Sequence, residues 1–158
     1  MLNEQPQCSL YFDPKEKRIE IKAGDENLPV VVGYRFACEY AEWVGGRLPT
    51  EDEWEAAAGG ADNRWFPWGN ELPDYRYVST NALKPSPIDS YEKNISPYGV
   101  AQMVGNVWQW CDGRFNNHYA YRGGDYRFDA AYWKRIQLHP IESAEHCGNQ
   151  VGFRVVTD

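Results

Sequence analysis

The sequence predicts an α+β domain in which two helices come first and a small, twisted antiparallel sheet wrapped in long irregular loops follows. Three observations point there. Apolar residues recur at helical spacing only between residues 34 and 58. After residue 60, Gly, Pro, Asn and Asp interrupt the chain every few residues and no helical period persists. Aromatic residues reach 15%, with 7 Trp, 11 Tyr and 6 Phe against 2 Met. Loops without regular ladders must be held by packed rings and hydrogen-bonded polar side chains, and this composition supplies the rings.

The elements follow in order. Ser9-Leu10-Tyr11-Phe12 and Arg18-Ile19-Glu20-Ile21-Lys22 read as the two strands of a hairpin turned at Asp13-Pro14. Leu28 to Val32 is a short buried run. Phe36, Ala37, Tyr40, Ala41 and Val44 share one face of a helix that Gly45-Gly46 stops. Thr50-Glu51-Asp52-Glu53 is a capping box: the Thr50 hydroxyl accepts from the Glu53 amide while the Glu53 carboxylate accepts from the Thr50 amide. Trp54, Ala57 and Ala58 give that second helix its apolar side, and Gly59-Gly60 ends it. Short strands are expected at residues 102–104, 107–110 and 152–156. Trp108 and Trp110, two apart, point the same way from a strand and belong to the core.

The 158 residues form one domain, with residues 1–28 as an N-terminal hairpin extension. Sixteen Lys and Arg against 23 Asp and Glu leave a net charge of −7, which repels phosphate backbones and anionic lipid heads. Nucleic acid and membrane are therefore not expected as partners. Residues 1–10 lack the basic and apolar regions of a leader, and no 18-residue apolar run exists, so a cytoplasmic protein is expected. Cys8, Cys38, Cys111 and Cys147 are widely spaced and read as reduced thiols. His118, His139 and His146 lack ligand spacing, and Asp129, Glu142 and Glu145 read as solvated loop carboxylates.

Four blocks together resemble the formylglycine-generating enzyme (sulfatase-modifying factor) family, whose fold is a variant of the C-type lectin fold. They are Gly46-Arg47-Leu48-Pro49-Thr50-Glu51-Asp52-Glu53-Trp54-Glu55-Ala56-Ala57; Phe66-Pro67-Trp68-Gly69; Tyr98-Gly99-Val100 through Val104-Gly105-Asn106-Val107-Trp108-Gln109-Trp110; and Arg122-Gly123-Gly124 with Gly152-Phe153-Arg154. The resemblance covers residues 29–156 and implies a C-type lectin-like α+β fold. It also implies a copper-binding cysteine pair after the Arg-Gly-Gly. Asp125 to Arg135 holds no cysteine, and the two positions fall on Phe128 and Trp133, or the second near Ala131 when counted back from Arg135. The family's calcium loop resembles residues 104–109, where Gln109 stands in place of a carboxylate. Asn106 and Gln109 are thus weak calcium candidates, and no other cofactor is expected.

The expectation is accordingly a non-catalytic binding or assembly module rather than an enzyme. A second resemblance, to the ligand-binding variable proteins of diversity-generating retroelements, including phage receptor-binding proteins, implies recognition between Arg122 and Arg154. A surface mixing rings with polar groups is expected at Asp125, Tyr126, Arg127, Phe128, Asp129, Tyr132, Trp133, Gln137 and His139. Residues 125–150 would contact a protein or small ligand, with a homo- or hetero-oligomer as a further expectation. Trp133, Lys134, Gln137 and Glu142 depart from that pattern, since adenine-directed mutagenesis does not produce them. Two alternatives stand beside this reading: an oxygen-dependent oxidase of the same family acting without the cysteine pair, and a structural subunit of a larger complex.

Overall fold

The structure, a computed structural model, describes residues 10–13, 18–62, 64–78, 82–115, 118–127 and 150–157. Strands β1 (Leu10–Asp13) and β2 (Arg18–Ile21) form the expected antiparallel hairpin, with Leu10 opposite Ile21 and Asp13 opposite Arg18. Helices α1 (Tyr34–Trp43) and α2 (Glu51–Gly59) follow, and then β3 (Trp108–Phe115), β4 (His118–Arg122) and β5 (Val151–Phe153). Among the described residues no helix is long and apolar enough to cross a membrane.

The three-stranded sheet is mixed rather than purely antiparallel. Its order is β4-β3-β5, with β4 antiparallel to β3 and β5 parallel to it. Only residues 116 and 117 separate β3 from β4, a spacing that suits an antiparallel pair, whereas residues 123–150 separate β4 from β5, a length that a parallel pairing needs and no hairpin does. Residues 102–104 form no strand. Gln102 and Asn106 hold positive φ angles of 52° and 67°, so the backbone there bends instead of extending.

Helix α1 meets the sheet through small side chains. Ala37 and Ala41 are fully buried in one cluster with Leu48, Trp110, Tyr121 and Val151. Phe36, Tyr40 and Val44, expected on the same inward face, are instead 66%, 49% and 41% exposed. Only alanines fit at the closest approach of the helix to a ring-lined sheet, so the larger side chains of the stripe lie to the side.

Helix α2 carries the capping box as read: Glu53 N donates to Thr50 Oγ1 at 3.2 Å and Thr50 N donates to Glu53 Oε2 at 2.8 Å. Arg47 adds a bidentate pair to Glu53, with both contacts at 2.6 Å. Trp54 and Ala58 bury themselves with Tyr77, Val78, Met103, Val104, Cys111 and Ala120 in a second core cluster. The buried Arg122 of β4 pairs with Glu51 at 2.7 Å and Glu55 at 2.8 Å, one helical turn apart, and locks α2 onto the sheet. Gly123 follows at φ 98°, where a Cβ would stand 2.6 Å from the Met103 carbonyl oxygen and 3.1 Å from the Trp54 ring. No larger residue fits that turn.

The Arg47 guanidinium and then the Thr50 amide hold the Glu53 carboxyl down to about 2 from its ordinary 4.5. Because the folded value lies below the unfolded one, the stabilisation is complete above pH 4.5 and is lost as pH falls toward 2. Melting temperature measured across that window should therefore fall less steeply for Glu53→Gln than for the parent. An identical acid limb would show that the exposed pair contributes nothing to pH-dependent stability.

Candidate functional site

Gln109, in the middle of β3, is the point where four segments meet. Its Oε1 accepts from Trp54 Nε1 of α2 at 2.9 Å and from Arg154 Nε, just past β5, at 2.6 Å. Its Nε2 donates to the carbonyl oxygens of Gln102 and Met103 at 3.1 and 3.2 Å. Arg154 Nη2 also donates to the carbonyl oxygens of Ala101 and Gln102. Gln102 in turn ties the preceding loop, its Nε2 donating to the carbonyls of Pro87, Ile88 and Ser90. Side-chain amides thus replace the ladder that the bent 101–106 backbone cannot make.

This polar cluster is the floor of a cavity of about 1150 Å³. Gln102, Asn106, Gln109 and Arg154 line its base, while Val30, Val32, Phe36, Tyr40, Phe153 and Val155 supply apolar walls. Gly152 lets the wall close: a Cβ there would stand 2.8 Å from the Val30 carbonyl oxygen and 3.2 Å from a Val107 methyl. Arg154 is pushed below the ordinary arginine value by loss of water, yet remains charged at neutral pH. An apolar cleft with a few convergent polar groups has the form of a small-molecule site.

The side-chain oxygens of both calcium candidates are already engaged. Asn106 Oδ1 accepts from Ser86 N at 2.8 Å, and its Nδ2 donates to Ser86 O and Gln102 Oε1 at 2.9 and 2.7 Å. The Gln109 oxygen already accepts from Trp54 and from the cationic Arg154. Donors thus occupy the carbonyl oxygens a hard cation needs, and a guanidinium stands among them.

The expected recognition face begins inside the protein. Asp125 is fully buried and Tyr126 is 5% exposed. Asp125 accepts from the Arg127 backbone N at 2.8 Å and from its guanidinium at 2.7 Å. Tyr126 N donates to Asn106 O, and Tyr126 O accepts from Ala82 N, so the turn is pinned to the loop above the cavity floor. The tie to Asn106 draws the ring inward, and only Arg127 of these three reaches solvent. Phe128, Asp129, Tyr132, Trp133, Gln137 and His139 lie outside the described residues.

The copper pair that the resemblance implies has no thiol at Phe128 or Trp133. Burial pushes the fully buried Cys111 thiol up to about 12, and burial likewise raises Cys38, so neither described cysteine is a ready thiolate. Among the described residues no three His, Cys, Asp or Glu side chains cluster to hold a metal. The described donor set does not fit that centre.

Sequence reasoning placed Arg154 only in the scaffold and read Gln102 as part of a strand. The available signal for Arg154 was the neutral Gln109 standing where the family places a carboxylate, which leaves a cation nearby in need of another acceptor. Nothing in the sequence around Gln102 announced its loop-tying role.

Residues 10–158 match the sulfatase-modifying factor enzyme 1-like domain. The chain is 31% identical over 182 aligned positions to a formylglycine-generating enzyme of Streptomyces coelicolor, covering 92% of this chain and 57% of that protein. It is 41% identical over 99 positions to a hercynine oxygenase of Mycolicibacterium smegmatis, covering 58% of this chain and 23% of that protein. Its fold matches the structure of PvdO from Pseudomonas aeruginosa with a TM-score of 0.67 and 24% identity, over 82% of this chain and 61% of that one. The chain thus spans little more than half of the first of these curated relatives and under a quarter of the second. Two of these relatives are named as enzymes, which overturns the expectation of a non-catalytic module.

Tyr126 supplies a direct check on the inward turn. Tyr126→Ala should cost about 3–5 kcal/mol in chemical denaturation, as removal of a buried ring does. A loss under about 0.5 kcal/mol, the range of ordinary surface substitutions, would return Tyr126 to the surface.

Proposed function

The chain belongs to the sulfatase-modifying factor enzyme 1-like family, and on that premise we propose that it is an enzyme whose substrate occupies the cavity above Gln109 and Arg154. The observation that carries this reading is the convergence of Gln102, Asn106, Gln109 and Arg154 at the base of a cleft walled by apolar side chains. Such walls exclude water from a bound substrate, and the fixed polar floor orients it without reorganising. Each floor amide is held by two or more hydrogen bonds, so the floor is set before substrate arrives.

The reaction class we assign is oxidation of the bound substrate with dioxygen as oxidant. Its support is the 41% identity to a protein named hercynine oxygenase and the 31% identity to a formylglycine-generating enzyme. Because the described donor set does not fit a thiolate metal centre, no step is assigned to one. The roles given to this chain's residues are binding, orientation and exclusion of water.

Dioxygen uptake by the full chain, offered hercynine and a sulfatase-type cysteine peptide in turn, tests this reading. Uptake that requires both protein and substrate is expected, and it should fall sharply in Val30→Trp, which fills the cavity from a wall. Uptake undiminished in a folded Val30→Trp would move the chemistry elsewhere, and absence of uptake with every substrate would contradict the oxidation.

A further inference from the structure

We propose that the cavity recognises a carboxylate carried on an aromatic or branched apolar body, with Arg154 as its counter-ion. This deepens the reading above by naming the substrate class of the same cavity. It begins from the charges. Arg35, Arg47, Arg64, Arg76, Arg122 and Arg127 each pair with an Asp or Glu. Arg114 lies at the surface over the Tyr119 ring. Arg154 is half-buried, and its hydrogen bonds among the described residues go to neutral acceptors: Gln109 Oε1 and the carbonyl oxygens of Ala101 and Gln102. In a chain with a net charge of −7, acids are in excess and an arginine without one is conspicuous.

A guanidinium held by neutral dipoles keeps its full charge, so an anion entering the cavity meets a cation with no carboxylate partner among the described residues. Nε and Nη2 are committed to the floor, which fixes the plane of the guanidinium. Nη1 has no bond to a described residue and is left to the ligand. Among the described residues the one carboxylate lining the cavity is Glu39, which is bonded by Arg35 Nε at 2.8 Å and so opposes the anion little.

The walls specify the body of the ligand. Phe36, Tyr40 and Trp43 project from one side of α1 and are 66%, 49% and 80% exposed. Tyr40 lies 5.5 Å from Phe153 and 5.7 Å from Trp43, centroid to centroid, making a run of rings toward the cavity. Rings left in water beside a half-buried cation match a ligand that is apolar at one end and anionic at the other.

Isothermal titration of the full chain with 3-phenylpropionate and with 3-phenylpropanamide isolates the charge, because the two differ only in the carboxylate. The acid should bind at least about tenfold more tightly than the amide, and that preference should vanish in Arg154→Gln. Gln109→Glu offers a second route should Arg154→Gln fail to fold. It places a carboxylate within reach of Arg154 from inside the protein while giving up the two bonds donated to the Gln102 and Met103 carbonyls, so in the folded protein it should abolish binding of the acid and not of the amide. Equal affinity for acid and amide, undiminished binding in Gln109→Glu, or no binding of the acid overturns the proposal. Acid-selective binding without any turnover would leave it standing and count against the enzyme reading alone; turnover of neutral substrates only would do the reverse.

Discussion

The structure depends on one buried amide. Gln109 accepts from Trp54 of α2 and from Arg154 beyond β5, and donates to two carbonyls of the bent 101–106 segment. Apart from the parallel pairing of β3 with β5, no ladder among the described residues joins those four parts of the chain. A carboxylate in its place would have no hydrogen to offer the carbonyls of Gln102 and Met103, and an apolar residue would take a bond from each of the four partners, although Gln102 O keeps the one from Arg154 Nη2. The neutral amide satisfies both kinds of partner at once. It also leaves Arg154 charged without an acidic partner among the described residues, so the same residue that closes the fold sets the electrostatics of the cavity floor.

Around that point the fold is assembled from a few devices of ordinary strength. Arg122 anchors α2 to β4 through Glu51 and Glu55, and Gly123 allows Trp54 and the Met103 carbonyl to close over the turn. Ala37 and Ala41 bring α1 against Trp110 and Tyr121. Because α1 is seated on alanines, its larger rings remain outside and become the wall of the cleft. Packing and the candidate site are therefore two sides of one helix. The amides that fasten the loops also line the candidate cleft, whereas Asp125 and Tyr126 are buried beneath the surface.

Both helices and the capping box were legible in the sequence because their signals are local: a 3.6-residue period and a Thr-x-x-Glu at a helix entry. The hairpin of β1 and β2 was legible for the same reason. The parallel pairing of β5 with β3 was not, since three residues carry no mark of strand direction and the pairing is set by where a long connection returns. Asp125 and Tyr126 look like surface residues in a mixed polar and aromatic stretch, but backbone bonds from Asn106 and Ala82 draw that turn inward. The Gln109–Arg154 contact joins residues 45 apart, beyond the reach of any periodicity. The absence of cysteine from residues 125–135 bears on one metal centre, and the inference from it to a protein without catalysis went too far.

The dependence of the fold on Gln109 is tested most directly by chemical denaturation of Gln109→Met, which keeps the length of the side chain and removes its polar atoms. Trp54 Nε1, Arg154 Nε and the carbonyls of Gln102 and Met103 would each lose a partner, at about 1–3 kcal/mol for every buried group left unsatisfied. A loss of at least about 3 kcal/mol, or failure to fold, is the result predicted. A stability within about 1 kcal/mol of the parent would contradict it, because the remaining bonds and packing would then suffice to hold the four segments together.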